Sequence, residues 1–347
     1  MKYFTWILIE KNKRNLEQIL ETDNDALRYS IKKFCLRNKL EPIFIYILDK
    51  KIDKNFQNFL FLNKNIKSFL KIIKVVKKSK IIYINTQGLL EFFLAYTFRL
   101  LNKKAKLIYH FHGVFKIDKI NFFKKIFYKF YLSIFDIIIN DVESEKKKVK
   151  IFLKKDKSMV FTYGSNLKPV KPKKHSKLTL VFVGRISKEK EIEKIIFGIK
   201  PFGKKIRLII IGGVEDEKYY RYLKKIAKDL DVEFTGFLNK KEIQEKFSIS
   251  DIFVNLRSDE VFGRVFVEAL SSGLPVIGNK NSPGPREIIK NCENGWLIKN
   301  HYDLTELLKK LKKEQIRYLR EKCIKSSYIY SYEKSYKSLK FILSQKR

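Results

Sequence analysis

The chain alternates between short apolar runs rich in β-branched and aromatic residues and longer stretches in which lysines interrupt the apolar positions. Apolar runs of about four to eight residues are typical of buried strands, and stretches with a single apolar stripe are typical of helices. The strands predicted in the first half are Phe4–Ile9, Ile43–Leu48, Ile81–Asn85, Leu107–His112 and Asp136–Asn140. Helices are predicted for the intervening segments LLEFFLAYTFRLL and FFKKIFYKFYLSIF.

The same pattern begins again in the second half, after a segment of different character. Residues 164–177 contain two prolines, several basic residues and no periodicity, which predicts a linker. The strands predicted beyond it are Leu178–Gly184, Ile206–Gly213, Val232–Gly236, Asp251–Leu256 and Leu274–Gly278. Because these runs are continuously rich in Ile, Val and Leu, helices are expected on both faces of each sheet. The predicted fold class is α/β, with two Rossmann-like doubly wound domains, 1–163 and 178–347, facing a central cleft.

The charge of the chain is strongly positive and evenly spread. There are 75 Lys and Arg residues against 37 Asp and Glu, a net charge of +38. Residues 1–160 carry 35 basic and 15 acidic side chains, about half of that excess, so no separate nucleic-acid-binding arm is indicated. Two interpretations stay open: attraction to an anionic partner such as a membrane leaflet, a nucleic acid or a phosphorylated substrate, or a codon bias that enriches lysine.

Cysteine content and hydropathy indicate a cytosolic protein. The three cysteines, Cys35, Cys292 and Cys323, are odd in number and far apart, which fits a reducing compartment. The longest run without a charged residue is Ala269–Asn279, much shorter than the ~20 apolar residues of a membrane span. We expect a protein of the cytosol that is able to lie against the inner face of a membrane.

The segment SDEVFGRVFVEALSSGLPVIG, residues 258–278, holds two glutamates in a largely apolar run. It follows a predicted strand, and its centre predicts a helix that begins next to Gly263. A glycine at a helix N-terminus lets a ligand approach the backbone, where free N–H groups favour an anion. Glu268 could instead pair with Arg264 on a solvated helix face, so the segment alone does not establish a site.

An ordered set of motifs around this segment resembles one enzyme family. The pattern E-x7-E with FG inside it is followed by EALSSGLPVIG and GPREII, and is preceded by FVGRISKEKEIEKII. Together they resemble the nucleotide-sugar-binding half of retaining GT-B glycosyltransferases, family 4, also called the glycosyl transferases group 1 domain. The resemblance covers residues 178 to about 339. It implies a GT-B fold, a UDP- or GDP-sugar donor, retention of anomeric configuration, no metal or other cofactor, and a last helix that packs back on the N-terminal domain.

The resemblance also implies roles for individual residues. Arg185 and Lys190 would contact the donor diphosphate, and Glu268 would accept the ribose hydroxyls. Glu260 would bind hydroxyls of the donor sugar. Backbone N–H groups at the helix start would complete the phosphate site, contributed by Phe262, Gly263, Arg264 and Val265. The family has a glycine after the lysine, whereas this chain has Glu191.

The first half resembles the family in fewer places. In YHFHGVF, His112 aligns with a histidine that reaches the donor sugar or its phosphate, so the residues expected to act in catalysis are His112, Arg185, Lys190 and Glu260. His110 is expected to point to the opposite face and to be packed. A glycine-rich loop common in the family is absent from Glu10–Ser30.

Two other segments have more than one interpretation. Asp23–Asp25 matches the D-x-D of metal-dependent transferases, but an N-cap is the favoured interpretation. The helix predicted at Phe122–Phe135 is either an ordinary packed helix or a basic, aromatic membrane-surface helix.

The predicted function is transfer of a sugar to a glycan or lipid-linked acceptor on the N-terminal domain, in bacterial surface polysaccharide or lipopolysaccharide synthesis. One alternative is a nucleotide-sugar epimerase with the same fold. Another is a basic binder of nucleic acid or anionic membrane without catalysis, which would lose affinity steeply with salt.

Overall fold

A computed structural model describes residues 2–9, 25–48, 58–63, 65–85, 89–113 and 121–345. The chain divides into two compact units. The N-terminal unit comprises residues 1–163 and 332–347, and the C-terminal unit comprises residues 164–331. None of the helices in the described ranges is long and apolar enough to cross a bilayer.

The described residues form thirteen strands and thirteen α-helices. The strands are β1 (Tyr3–Ile9), β2 (Glu41–Leu48), β3 (Phe59–Asn63), β4 (Ser79–Ile84), β5 (Lys106–Phe111), β6 (Ile137–Asn140), β7 (Ser158–Val160), β8 (Leu178–Val183), β9 (Ile206–Ile211), β10 (Asp231–Gly236), β11 (Ile252–Asn255), β12 (Val276–Asn279) and β13 (Gly295–Ile298). The helices are α1 (Asp25–Arg37), α2 (Ile66–Lys77), α3 (Leu89–Leu101), α4 (Phe122–Ser133), α5 (Glu143–Lys150), α6 (Glu193–Ile199), α7 (Glu217–Ile226), α8 (Lys240–Ser248), α9 (Arg264–Ser271), α10 (Pro283–Ile288), α11 (His301–Lys310), α12 (Lys313–Ser327) and α13 (Tyr332–Ser344).

Each unit is built on one parallel sheet. The N-terminal order is β3-β2-β1-β4-β5-β6-β7 and the C-terminal order is β10-β9-β8-β11-β12-β13. In both sheets the order reverses next to the first strand of the unit, and ligands of doubly wound folds bind beyond the carboxyl ends of the strands at such a switch point. The predicted α/β class with two Rossmann-like domains is confirmed.

All ten predicted strands are present, and the prediction missed β3, β7 and β13. These three are edge strands of their sheets. An edge strand has one neighbour instead of two, so a short apolar segment is sufficient for pairing and the sequence signal is weak. For example, β7 is only three residues long.

The segment predicted as a linker, residues 164–177, contains no helix or strand and lies along the C-terminal unit. The Val170 N–H donates to the Ser272 carbonyl at 3.1 Å, and the Lys173 N–H donates to the Ser248 carbonyl at 2.8 Å.

Helix α13 belongs to the N-terminal unit, where Glu333 forms an ion pair of 2.5 Å with Lys33 of α1.

Candidate functional site

The carboxyl edge of the C-terminal sheet carries a loop with two cations. Arg185 follows β8, and its guanidinium donates to Glu189 at 2.7 Å and to Glu215 Oε1 at 2.6 Å. The loop then forms a short 3-10 turn, Lys188–Lys190. Arg185 therefore points its charge toward two carboxylates at the surface, and neither contact was expected from the sequence.

The side chain of Lys190 points in a different direction from that of Arg185 and contacts Glu260. Its Nζ lies 3.5 Å from Glu260 Oε2, and both side chains are about 85% buried. The same oxygen accepts from Asn255 Nδ2 at 3.3 Å and lies 3.8 Å from the Arg257 guanidinium. Burial acts to lower the pKa of Arg257, but the charges of Glu260 and Asp259 outweigh it and raise that pKa. Asn255 and Arg257 are site residues that the sequence analysis missed.

Glu191, the departure from the family's glycine, has a structural role. Its backbone is in the left-handed region with φ of 51°, where glycine is normally favoured. Its carboxylate accepts the Ser258 N–H at 2.6 Å and the Ser258 hydroxyl at 3.0 Å. These two bonds tie the Lys190 loop to the loop that carries Glu260, which helps to offset the backbone strain.

Helix α9 begins beside these loops as predicted. Gly263 precedes it with φ of 75°, and a Cβ there would lie 2.6 Å from the Phe266 ring and 3.0 Å from Glu260 Cγ. Phe262 is buried, and its backbone packs so closely on Gly284 that a Cβ at 284 would lie 2.3 Å from the Phe262 carbonyl oxygen. The backbone N–H groups of Arg264 and Val265, predicted to contact a phosphate, are in the first turn of α9, where N–H groups lack intrahelical acceptors.

The sequence-predicted residues of this unit thus lie on three neighbouring segments of one sheet edge. Lys190 and Glu260 are in direct contact, and Phe262 to Val265 form the start of α9. Glu268 is half-buried in the second turn of α9. Such an edge offers cations, a helix N-terminus and a carboxylate acceptor to a phosphorylated ligand that also carries hydroxyls.

The carboxyl edge of the N-terminal sheet carries a second polar cluster. His112 follows β5, and its Nδ1 lies 3.0 Å from both carboxylate oxygens of Asp141, which follows β6. His112 Nε2 lies 2.5 Å from Asn85 Oδ1, which follows β4. His112 is partly exposed, whereas Asp141 and Asn85 are buried.

The expectation that His110 points away from His112 is wrong. Residues two apart on a strand share a face, and the two imidazole centroids are 3.9 Å apart. His110 is fully buried, as expected, but its Nε2 lies 2.9 Å from Asp141 Oδ1 and its Nδ1 lies 2.5 Å from the Tyr83 hydroxyl. The Tyr163 hydroxyl donates to the same Asp141 oxygen at 3.0 Å.

Burial and charge set the protonation of this cluster. Burial, helped by the charge of His112, lowers the pKa of His110 to about 4, so His110 is neutral near pH 7. Burial acts to raise the pKa of Asp141, but the charge of His112 and the hydrogen bonds from both histidines outweigh it and hold the pKa well below its usual value. Asp141 is therefore ionised.

His110, His112 and Asp141 are also a group that could hold a metal ion, since one ligand atom from each lies within 4.8 Å of the others. Their nitrogen to oxygen distances of 2.9 to 3.0 Å are those of hydrogen bonds between the side chains. A metal ion would have to displace the proton that each histidine shares with Asp141.

The Asp23–Asp25 motif, considered above as an N-cap, lies outside the described residues except for Asp25, the first residue of α1.

Comparison with known proteins identifies the C-terminal unit. Residues 165–329 match the family model described as Glycosyl transferases group 1. These residues form a glycosyl transferases group 1 domain. A GDP-mannose-dependent alpha-mannosyltransferase of Mycobacterium tuberculosis is 35% identical over 117 residues, which are 34% of this chain and 29% of that protein. An alpha-monoglucosyldiacylglycerol synthase of Streptococcus pneumoniae is 30% identical over 149 residues, 40% of this chain and 33% of that protein.

These alignments span only about a third of the curated relatives. Over nearly the whole chain the similarity is structural. The crystal structure of Anabaena HepE in complex with UDP and glucose has a TM-score of 0.80 at 15% identity, covering 99% of this chain and 100% of that one. At this identity the likeness shows the fold alone, which is that of the GT-B glycosyltransferases.

Proposed function

We propose that the protein is a glycosyltransferase that moves a sugar from a UDP- or GDP-sugar to a glycan or lipid-linked acceptor. The observation that carries the proposal is the carboxyl edge of the C-terminal sheet, where Lys190 contacts the largely buried carboxylate of Glu260, and Arg185 and the start of α9 lie on neighbouring segments. The donor is assigned to this unit and the acceptor to the N-terminal unit, which carries His112.

The cations are suited to a diphosphate leaving group. Charge-assisted hydrogen bonds from Arg and Lys to phosphate are each worth roughly 1.5–3 kcal/mol, and a helix N-terminus adds a favourable dipole. The charge of Arg185 is neutralised by Glu189 and Glu215, so a diphosphate would have to replace those carboxylates. Two cations and a helix dipole would neutralise the departing nucleotide, and we therefore propose that no metal takes part.

Glu260 is suited to sugar hydroxyls because its carboxylate, which lies beside Lys190 and Arg257, has oxygens that can accept hydrogen bonds from these hydroxyls. Glu268, one turn along α9, is assigned to the two ribose hydroxyls. We propose transfer with retention: the bond from the sugar C1 to the phosphate oxygen breaks while the acceptor oxygen bonds to the same face. The acceptor's proton passes to the departing phosphate oxygen, so no enzyme nucleophile is needed.

The donor site is tested by titrating UDP-, GDP- and ADP-sugars into the parent protein and into Arg185→Ala, Glu260→Ala and Glu268→Ala. Each variant should weaken binding of the preferred donor by roughly 10- to 100-fold, the equivalent of one charge-assisted contact. Arg221→Ala and Glu306→Ala, two exposed positions of the same unit, are the matched controls. The proposal is wrong if no nucleotide sugar binds, or if the three variants bind like the parent.

Stereochemistry and metal dependence are tested on the same protein. Slow hydrolysis of the donor is followed by proton NMR. The sugar first released should have the same anomeric configuration as in the donor, and EDTA should not change the rate of hydrolysis. An inverted product, or loss of hydrolysis in EDTA that is restored by a divalent cation, would contradict retention or metal independence. Conversion of the nucleotide sugar to its epimer without release of the nucleotide would identify the epimerase alternative.

We further propose that the acceptor is met at an anionic membrane surface of the cytosol. The support is an apolar surface on two neighbouring helices, the α3–α4 face, which consists of Phe93, Tyr96, Phe122, Phe123, Ile126 and Phe130. These side chains are 45% to 79% exposed. Phe92 of α3 packs on Phe127 of α4 with ring centroids 5.2 Å apart, so the two helices are adjacent.

The α3–α4 face combines the two features of an interfacial helix. The exposed positions of α4 carry an apolar stripe flanked by lysines at 124, 125 and 129, whereas its packed positions include Tyr131 and Leu132. Helix α4 contains no acidic residue. This pattern suits a membrane surface, where aromatic side chains insert at the headgroup boundary and lysines are attracted to anionic lipid.

Vesicle sedimentation tests the α3–α4 face. The parent should bind phosphatidylglycerol vesicles but not phosphatidylcholine vesicles, and Phe122→Ser with Phe123→Ser should weaken binding at least tenfold. Phe341→Ser on α13 is the control, since that aromatic is 59% exposed on another helix. Equal loss in the control, or no binding by the parent, would refute the assignment. A stable dimer that the double variant abolishes would instead assign the face to a second copy of the chain.

A further inference from the structure

Asn255 is the last residue of β11, at the point where the strand order of the C-terminal sheet reverses. Strand β11 lies between β12 and β8, and β8 precedes the loop that carries Lys190. Asn255 is buried at the end of an otherwise apolar strand. A buried carboxamide needs partners for both its oxygen and its nitrogen, so Asn255 has to find them at this edge of the sheet.

The carboxamide of Asn255 bonds with both of its ends to the loop that follows β11. The Arg257 N–H donates to Asn255 Oδ1 at 3.1 Å, and Asn255 Nδ2 donates to Glu260 Oε2 at 3.3 Å. A backbone N–H can only donate, which assigns the amide oxygen to Arg257 and the amide N–H to the carboxylate. One side chain therefore holds the start of the loop and also the carboxylate that the loop carries.

The two oxygens of the Glu260 carboxylate differ in their contacts. Lys190 Nζ and the Arg257 guanidinium approach Oε2, at 3.5 and 3.8 Å, which is the oxygen that also accepts from Asn255. Among the residues that the structure describes, none forms a hydrogen bond or ion pair with Oε1. The carboxylate is thus held through one oxygen, and the other is available to a ligand.

We propose that Asn255 is a positioning residue for Glu260: its amide N–H fixes Oε2, so that Oε1 is presented to a hydroxyl of the donor sugar. The inference rests on the proposed function, which assigns Glu260 to the sugar hydroxyls. It adds to that function the oxygen that the sugar contacts and the residue that selects this oxygen.

Asn255 is suited to this role because it is neutral. Lys190 is assigned to the diphosphate, which would draw its charge away from Oε2 when a donor binds. The guanidinium of Arg257 is shared with Asp259, whose Oδ1 lies 2.6 Å from Arg257 Nε. A neutral amide is attracted far less to a phosphate than a cation is, so the bond from Asn255 to Glu260 persists in the complex with the donor.

Asn279 is a matched control in the same unit. It is the last residue of the neighbouring strand β12 and is buried, and its Oδ1 accepts the N–H of Asn281 at 2.9 Å, as Asn255 Oδ1 accepts that of Arg257. Its Nδ2 donates to the Leu256 carbonyl at 3.0 Å, not to a carboxylate. An aspartate at either position keeps the acceptor and removes the donor, but only at 255 does the lost donor face Glu260.

The test compares the affinity for the preferred nucleotide sugar with the affinity for its free nucleoside diphosphate, both by calorimetric titration. The ratio of the two affinities should fall at least tenfold in Asn255→Asp and in Asn255→Leu, because the sugar loses a hydrogen bond to a charged group. Glu260→Gln should lower the ratio similarly, and the double variant with Asn255→Leu should lose little more. Asn279→Asp should lower the melting temperature and change the ratio less than threefold.

The outcomes separate this inference from the proposed function. A parent that binds no nucleotide sugar would overturn both. Binding by the parent with the ratio unchanged in both Asn255 variants would refute the positioning role and leave the proposed function standing. An equal fall of the ratio in Asn279→Asp would also refute that role, because any disturbance of the loop would then lower sugar binding. Full additivity in the double variant would show that Asn255 does not act through Glu260.

Discussion

Single residues at the carboxyl edge of the C-terminal sheet adopt backbone conformations that composition alone would not suggest. Glu191 adopts a left-handed backbone and ties two loops together with its carboxylate, in a position where the family has glycine. Gly263 adopts the same kind of backbone but could not be replaced in this way, because Phe266 and Glu260 occupy the space next to it. One positive-φ position therefore accepts a side chain and the other does not.

Gly263→Ala should destabilise the protein by about 2–4 kcal/mol, of which the left-handed backbone accounts for roughly 1–2 kcal/mol. The remainder comes from the clash of the new Cβ with the Phe266 ring at 2.6 Å. Urea unfolding measures the loss, with Gly236→Ala as the matched control, since Gly236 also has a positive φ but open space around it. Equal losses in the two variants would show that the clash has no effect.

The buried His110 makes stability depend on pH. Its pKa falls from an ordinary 6.5 to about 4 in the folded chain, so the unfolded chain binds more protons between those values. Stability should therefore decrease as pH falls from 6.5 to 4, by up to about 3 kcal/mol. Asp141, whose pKa is lowered from 3.8, adds a loss only below about that pH.

Urea unfolding at several pH values should show this slope in the parent. The slope should be much smaller in His110→Gln and unchanged in His301→Gln, the control in the other unit. A parent whose stability is flat between pH 6.5 and 4 would contradict the buried, neutral state of His110.

At the scale of elements, the two units share one hydrogen-bonding arrangement at the start of a strand. An aspartate precedes β6 and another precedes β11, in the segments DIIIN and DIFVN. Asp136 accepts the Leu107 N–H at 2.7 Å, and Asp251 accepts the Thr179 N–H at 2.9 Å. Each aspartate N–H in turn donates to the carbonyl of the same partner residue at 2.8 Å. These reciprocal bonds fix where a central strand starts against its neighbour.

Asp136→Ala should destabilise the N-terminal unit by about 1–3 kcal/mol, because it leaves the Leu107 N–H without its acceptor and Arg99 without its carboxylate. Urea unfolding with Asp156→Ala alongside measures the effect. The pair of Asp156 with Lys150 is exposed and should be worth less than about 1 kcal/mol. A variant at 136 as stable as the one at 156 would refute the role of the reciprocal bonds.

At the scale of the whole molecule, the net charge of +38 is the dominant property. So many like charges on 347 residues repel one another in the compact state, and salt screens that repulsion over a Debye length of about 10 Å at 0.1 M. The same screening weakens attraction to an anionic membrane. Stability and vesicle binding should therefore respond to salt in opposite directions.

Raising NaCl from about 50 to 300 mM should raise the melting temperature by a few °C and weaken binding to phosphatidylglycerol vesicles. Differential scanning calorimetry and vesicle sedimentation on the same preparation measure both. Sucrose at matched osmolality is the control for effects other than charge screening, and it should leave vesicle binding unchanged. A melting temperature that falls with NaCl would show that favourable ion pairs, not repulsion, dominate the folded state.

The sequence by itself determined the strands with two neighbours, because central strands are long apolar runs. It also placed Arg185, Lys190, Glu260 and Gly263 near strand or helix ends, whereas the roles predicted for them came from the resemblance of the surrounding motifs. Edge strands such as β7 and β13 were missed because pairing on one side leaves little trace in the sequence.

Only the tertiary structure decided which side chains meet. Asn85, His112, Asp141 and Tyr163 are far apart along the chain, and they come together because parallel strands end at one edge of the sheet. The pairing of Arg185 with Glu215 has the same origin, since both residues follow adjacent strands β8 and β9. Such contacts depend on strand order, and strand order is a property of the packed sheet that no local stretch of sequence encodes.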